Sequence, residues 1–383
     1  MATELRIHEG TVRPSVVDAL ETVSAPERWA SSYYLDLGSR DQVDIRESRR
    51  AVTQSLEQQR KRLDELDVRG EVRHALQRDW EKVQELALTT VGKRGIRSLA
   101  CFIASRSDQT VALRLTWPLR DRAFFEDRFV VWPLQQVLDQ SDRYAIALTD
   151  KDDALLFLYY QGQIEEVGEI HDEIPGKIRF PARWREMEYR RKHVEAVHHH
   201  FETVAEAALR LFRREPFEHL IIGGLWETLP RFEAQLHRYL HDRLVARWDI
   251  NVRTPTQEIL GRTEQEEKQL LRRQAEETWK EILDQRPQRG ALGPEEVFSA
   301  LWGRRVQTLL VEPDVVRAGL RCTVCGRLQL GQGPCVECGG QTAGIPDIFE
   351  EAVREAIEQD AHVRYWKDPA LERVDSIAAS RRY

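Results

Sequence analysis

Residues 321–342 read RCTVCGRLQLGQGPCVECGGQT. Two Cys-x-x-Cys pairs, Cys322/Cys325 and Cys335/Cys338, stand nine residues apart, and a glycine follows each, Gly326 or Gly339. A Cys-x-x-Cys turn lets two thiolates of one tight loop reach a single ion, and the glycine supplies the positive φ that turns the chain away. A second such knuckle completes a tetrahedron at ~2.3 Å per Zn–S bond. The spacing is that of a small zinc ribbon, with four free or redox thiols as the alternative. A closed four-sulfur site leaves no position for substrate, so the expected Zn2+ is structural. Cys101 lies in an apolar run and reads as core.

The segments flanking the ribbon read as one α/β unit. Before it come a helix over 294–303 and a strand over 306–311; after it a helix over 346–359, a strand over 362–366 and the tail IAASRRY. Upstream, 284–293 (DQRPQRGALG) is rich in Pro, Gly and Arg and reads as a linker. A middle unit starts near 139. It has three strands (YAIALTD, ALLFLYY, IEEVGEI) joined at Lys151–Asp153 and Gln161–Gln163, and the loop HDEIPGKIRFPARW (171–184). A helix over 185–214, a strand over 217–222 closed by Gly223-Gly224, a helix over 228–244, a strand over 246–252 and a helix over 255–284 follow. The first unit, 1–138, reads mostly as helix to about residue 95. It has a strand at 31–37, helices at 43–65 and 71–88, a hairpin within 97–116, a third β-type run at 129–132 and a helix at 133–140. The fold class is therefore α/β, with an α+β N-terminal part and three domains in series: 1–138, 139–284 and 285–383, the last carrying the ribbon at 320–342.

Composition excludes several classes. The chain has 383 residues, 32% charged and 41% hydrophobic, and no stretch approaches the ~18 uncharged apolar residues of a spanning helix. MATELRIHEG carries no secretion leader, and the cysteines are too sparse for a disulfide scaffold, so a reducing cytoplasm is expected. The net charge of −7 means that any RNA contact must come from a local patch, and no DNA partner is expected. One such patch exists. From Lys177 to Lys192 there are seven cations (Lys177, Arg179, Arg183, Arg185, Arg190, Arg191, Lys192) against Glu186 and Glu188, interleaved with Phe180, Trp184 and Tyr189. That mixture suits phosphate contact plus base stacking; a solvated helix face is the competing reading. His198-His199-His200 cannot converge on one ion, because consecutive helical residues point about 100° apart. Gly223-Gly224 lacks the pattern of a nucleotide loop.

The chain resembles the archaeo-eukaryotic class 1 peptide chain release factors and Pelota-type rescue factors, nearest to their divergent bacterial members. The residues that carry the likeness are GRRVQTLLV (303–311), the two knuckles, IPDIFEEAVREAIEQDAHVRYW (345–366) and IAASRRY in the last unit. In the middle unit they are YAIALTDKDDALLFLYYQGQIEEV, HHHFETVAEAA and LIIGG; the first unit matches more weakly. The resemblance implies that the C-terminal domain has a ribosomal-protein-L7Ae-like fold bearing the zinc ribbon. It also implies a ribosome partner (rRNA and tRNA), a translation factor contacting the C-terminal domain, and no membrane.

The family's chemistry does not carry over residue by residue. Its Gly-Gly-Gln loop precedes the long central helix, and Ala182, Arg183 and Trp184 stand there; no Gln occurs between His171 and Trp184. Gly339-Gly340-Gln341 follows Cys338 and reads as knuckle-turn chemistry. The stop-codon motif Asn-Ile-Lys-Ser is represented by Asp44-Ile45-Arg46-Glu47, where only Ile matches. Three functions follow as alternatives. One is a ribosome-binding factor in rescue or quality control without hydrolysis, with Lys177, Arg179, Arg183, Trp184, Arg185, Arg190, Arg191 and Lys192 on RNA. Another is a peptidyl-tRNA hydrolase using His171, Asp172, Glu173 or Arg179. The third is a non-ribosomal stress or defence protein reusing the fold.

Overall fold

The computed structural model describes residues 4–383, leaving out 26–29, 39–44, 65, 67, 69, 106–108, 174–182, 287 and 314. It is mixed α/β and divides into two compact units: unit 1 comprises 1–131 and 140–264, unit 2 comprises 132–139 and 265–383.

Unit 1 holds two five-stranded sheets. The first takes β1 (Glu4–Gly10), β2 (Ala30–Asp36), β3 (Ser98–Ala104), β4 (Gln109–Leu115) and β5 (Arg122–Glu126) in the order β1-β4-β3-β2-β5. β1 runs parallel to β4, and the other neighbours are antiparallel. The C-terminal ends of β1, β4 and β2 therefore share one edge. β2 and β3 are buried along nearly their whole length. Helix α1 (Pro14–Glu21) follows β1. The antiparallel pair α2 (Ile45–Asp64) and α3 (Glu71–Thr90) lays Val52, Leu56, Leu76, Trp80 and Val83 against Tyr33, Leu35 and Cys101 of the sheet. Three- and four-residue spacing gathers those side chains on one stripe of each helix.

Two corrections to the sequence reading arise here. β1 opens the chain, where helix was expected. Phe129–Val131 are buried but form no strand. The backbone of Val130 is paired with side chains instead: the Tyr34 hydroxyl donates to Val130 O at 2.6 Å, and Ser32 Oγ accepts from Val130 N at 3.0 Å.

The second sheet takes β6 (Tyr144–Thr149), β7 (Asp153–Tyr160), β8 (Gln163–His171), β9 (His219–Gly224) and β10 (Leu244–Asp249) in the order β10-β9-β6-β7-β8. β10, β9 and β6 are parallel; β7 is antiparallel to both β6 and β8. Thr149, His171, Gly224 and Asp249 thus end four co-directional strands at one edge. The 32-residue helix α5 (Arg183–Arg214) packs Val197, Phe201, Val204 and Ala208 on this sheet. The single helix expected over 228–244 is two short ones, α6 (Leu229–Glu233) and α7 (Arg238–His241), the second started by His237, whose ring accepts from Tyr239 N.

Unit 2 contains α4 (Trp132–Gln140) up to Asp139 and most of α8 (Thr256–Asp284). Its four-stranded sheet has β11 (Gly290–Leu292), β12 (Val306–Val311), β16 (His362–Tyr365) and β17 (Ile377–Arg381) in the order β11-β17-β12-β16. Helices α9 (Gly293–Trp302), α10 (Ile348–Ile357) and α11 (Pro369–Glu372) accompany it. A separate antiparallel sheet, β14-β13-β15, is built from β13 (Gly319–Cys322), β14 (Leu328–Gln329) and β15 (Thr342–Ile345). Among the described residues no helix is long and apolar enough to cross a membrane.

Candidate functional site

The four ribbon cysteines converge. Their Sγ atoms all lie within 4.8 Å of one another. Cys322–Cys338 and Cys325–Cys338 are 3.5 Å apart and Cys325–Cys335 is 3.6 Å. A tetrahedral ion with ~2.3 Å bonds to sulfur would set its ligands about 3.8 Å apart, so the donor set fits one metal. The two knuckles repeat one geometry. Gly326 N bonds Cys322 O at 3.0 Å and Gly339 N bonds Cys335 O at 2.9 Å, with φ of 76° and 69° at the glycines. Val324 N and Cys325 N donate to Cys322 Sγ, and Glu337 N donates to Cys335 Sγ, each at 3.4 Å. Backbone donors stabilise thiolate and pull the first cysteine of each knuckle below the ordinary thiol value, Cys325 N and then Val324 N acting on Cys322, Cys338 N and then Glu337 N on Cys335.

Gly339-Gly340-Gln341 belongs to this turn. Gly340 O accepts from Cys335 N and Gln341 O from Thr323 N, so the tripeptide's backbone is spent closing the ribbon. Two supports carry no motif signal. Buried Gln329 donates to Pro334 O at 3.3 Å and accepts from Val336 N at 3.0 Å, bracketing Cys335. Arg327 of the first knuckle pairs with Glu337 of the second.

The other site is the edge where β6, β8, β9 and β10 end. His171 Nδ1 lies 2.6 Å from Asp153 Oδ1, and Arg253 approaches the other oxygen at 3.4 Å. That hydrogen bond holds the His171 imidazole above its ordinary pKa and Asp153 below the usual carboxylate range. Asp172 Oδ2 lies 2.6 Å from Nδ1 of His200, which is fully buried on α5, while Nε2 of that ring faces Thr149 Oγ1 at 3.3 Å. The first two of the expected catalytic groups are thus engaged with neighbours, and Glu173 is exposed. Gly224 admits this close packing, because a Cβ there would strike Thr149 O.

Lys177 and Arg179 lie outside the described residues, and Arg183, Trp184 and Arg185 are described only as backbone of α5. Arg190, Arg191 and Lys192 project to solvent from the first turns of that helix, Lys192 meeting Glu188 at 3.1 Å. The triple histidine divides as its helical geometry requires. His198 and His199 are exposed beside Glu202, and His200 is buried. The Thr149–His200–Asp172 relay was not legible in the sequence, since its members stand 51 and 28 residues apart.

Residues 130–268, which include this edge and α5, match the family model for bacterial archaeo-eukaryotic release factor family 10. That match shows a likeness to the bacterial archaeo-eukaryotic release factors over the middle part of the chain. The chain is 25% identical to peptide chain release factor subunit 1 of Thermococcus onnurineus, over 69% of its own length and 72% of that protein's. It is 26% identical to the same subunit of Thermococcus kodakarensis over the same shares. Among solved structures, an archaeal translation termination factor aligns over 96% of both chains at 16% identity and a TM-score of 0.27. A ribosome-bound archaeal Pelota aligns over 75% of this chain and 77% of that one, at 18% identity and a TM-score of 0.41.

Proposed function

We propose that the chain binds ribosomes as a release-factor-like protein in termination-like rescue or quality control, without Gly-Gly-Gln hydrolysis and without reading stop codons. One observation carries this reading. The segment that leaves the shared strand edge after His171 contains no Gln as far as Trp184, and it runs into the seven cations of 177–192. Such a segment is equipped to hold RNA phosphate and bases rather than to position water on an ester. The side chains of His171 and Asp172, bonded to Asp153 and His200, support the same reading.

In this proposal the chain works as three modules, 1–138, 139–284 and 285–383. The middle one presents Lys177, Arg179, Arg183, Trp184, Arg185, Arg190, Arg191 and Lys192 to rRNA or tRNA, and the last one contacts a translation factor. Cys322, Cys325, Cys335 and Cys338 would hold Zn2+, which supplies a structural cross-link for a lobe with little core of its own. A cytoplasmic setting accords with reduced cysteines.

Sedimentation with stalled ribosomes tests the reading. Binding should be strong at low salt, fall as salt rises, and weaken when Lys177, Arg179 and Arg183 are replaced together by Glu. Nascent chains should stay attached to tRNA. Release that loop substitutions abolish would make the protein a peptidyl-tRNA hydrolase instead. No co-sedimentation at any salt would leave the non-ribosomal reading.

A further inference from the structure

At the opposite end of the β6–β8 sheet from His171, unit 1 holds a cavity of about 940 Å3. It lies against the C-terminal ends of β1, β4 and β2 and the β7–β8 turn. The volume is that of a small-molecule site. Among the described residues of unit 1, six glycines have φ in the left-handed region, and five of them line this cavity: Gly10, Gly38, Gly92, Gly95 and Gly162. Glycine brings bare backbone to a surface and lets a ligand approach it closely. The outer side of Gly95 is open, with nothing within 4 Å of where a Cβ would stand.

The α3–β3 loop forms one wall and reads Gly92-Lys93-Arg94-Gly95. Lys93 N bonds Thr90 O and Ile96 N bonds Lys93 O. Among the described residues the amides of Gly92, Arg94 and Gly95 have no acceptor. Neighbouring N–H groups around left-handed glycines form an anion-binding concavity. Its two side chains are cations. Arg94 is exposed and without a partner among the described residues, and Lys93 reaches Glu9 only at 3.9 Å. Glu9 is already held by Arg114 at 2.5 Å, and Glu215 by Arg214 at 3.1 Å, so two of the three lining acids are neutralised, leaving Glu165. On another wall the guanidinium of Arg143 lies over the Tyr160 ring, 5.0 Å from its centroid, a flat cationic platform. Flat cations and aromatic rings stack on nucleobases.

We propose that this cavity binds a nucleoside phosphate, with the phosphate on the Gly92–Gly95 loop and the base on the Arg143–Tyr160 platform. The ligand is either a free nucleotide or a nucleotide of an RNA chain; both present the same chemistry. The site is independent of the ribosome reading, because none of its residues belongs to 171–192.

Calorimetric titration of the full chain with AMP, GMP, adenosine, inorganic phosphate and a uridine hexanucleotide tests it. AMP or GMP should saturate one site, adenosine should bind about tenfold more weakly, and the double variant Lys93→Ala/Arg94→Ala should lose about tenfold or more. Both side chains are exposed, so the variant should melt as wild type does. Binding of the hexanucleotide alone, lost in the double variant, supports the site and assigns the nucleotide to RNA. The proposal fails if no nucleotide or oligonucleotide binds, if adenosine binds as well as AMP, or if the double variant binds as wild type. Ribosome sedimentation of the same variant separates this outcome from the fate of the 171–192 segment.

Discussion

The side chain of Gln161 takes up both backbone polar groups of Val12: its Oε1 accepts from Val12 N at 2.6 Å and its Nε2 donates to Val12 O at 3.3 Å. The Gln161 carbonyl also accepts from Thr116 Oγ1 at 2.6 Å, and the residue is fully buried at φ 48°. The β7–β8 turn is thereby clasped to the first sheet by an amide acting as a strand partner. Gln161→Ala should cost about 1–3 kcal/mol in urea unfolding, because two buried backbone groups of Val12 lose their partner. Gln161→Gly, which suits the left-handed φ, should cost a similar amount if the side chain carries the effect; recovery in the glycine variant would assign it to backbone strain.

Asp79 on α3 gives an inverted pH dependence. It is buried behind the sheet, with Ser31 Oγ donating at 3.4 Å and Ser105 Oγ also donating to the same oxygen. Burial wins over these donors and raises its pKa from 3.8 to about 6. Below the ordinary value both states hold the proton. Between the two values the unfolded chain ionises first, so the folded state binds more protons and stability falls as pH rises. The shift amounts to about 2–3 kcal/mol by neutral pH. Asp79→Asn should remove that loss. Denaturation midpoints of the variant and wild type, compared from pH 4 to 7, should diverge steadily; parallel curves would refute the assignment.

Much of this architecture was legible in the sequence because hydrophobic period tracks burial. α8 and the β6–β8 meander follow apolar spacing closely, and the cysteine spacing located the lobe in which four thiols converge. The misses have physical causes. Glu4, Arg6, His8 and Glu9 break any apolar run in β1, an edge strand held by backbone pairing to β4. Phe129–Val131 look like a strand because they are apolar and buried, but the backbone groups of Val130, at their centre, pair with the side chains of Tyr34 and Ser32 rather than with a neighbouring strand. The helix expected over 228–244 divides because His237 starts a new turn with its own ring. Of the candidate site, the basic composition of 177–192 could be read directly. The Thr149–His200–Asp172 relay could not, since only the fold brings distant residues together.

His200 tests whether that relay is structural. With both ring nitrogens facing partners and no exposed surface, replacement by Leu removes the charge-assisted bond to Asp172, while the Thr149 hydroxyl keeps its bond to Asp150 O at 3.0 Å. His200→Leu should destabilise the protein by about 1–3 kcal/mol. His200→Gln, which can still donate to Asp172, should recover part of it. Neither variant should change metal content. Amide exchange at Asp172 should quicken in the Leu variant, since its side-chain anchor is gone, while Leu156 in β7 should stay protected.

Metal content gives the most direct check on the ribbon. Four sulfurs within 4.8 Å of one another predict one ion per chain, bound through sulfur alone. Elemental analysis should find one equivalent of zinc, and Cys322→Ser or Cys335→Ser should lose it. Gln329 offers a subtler test, because it touches no sulfur and acts only through the backbone of the second knuckle, at Pro334 O and Val336 N. Gln329→Ala leaves those groups without their partner and frees the turn that aims Cys335. Groups that orient metal ligands typically contribute about 10–100-fold in affinity. Competition with a chromogenic chelator should therefore strip the Gln329→Ala protein at correspondingly lower chelator concentration, while its fully loaded form keeps a wild-type far-ultraviolet spectrum. Equal chelator resistance would mean that the thiolates hold their tetrahedron without help from Gln329.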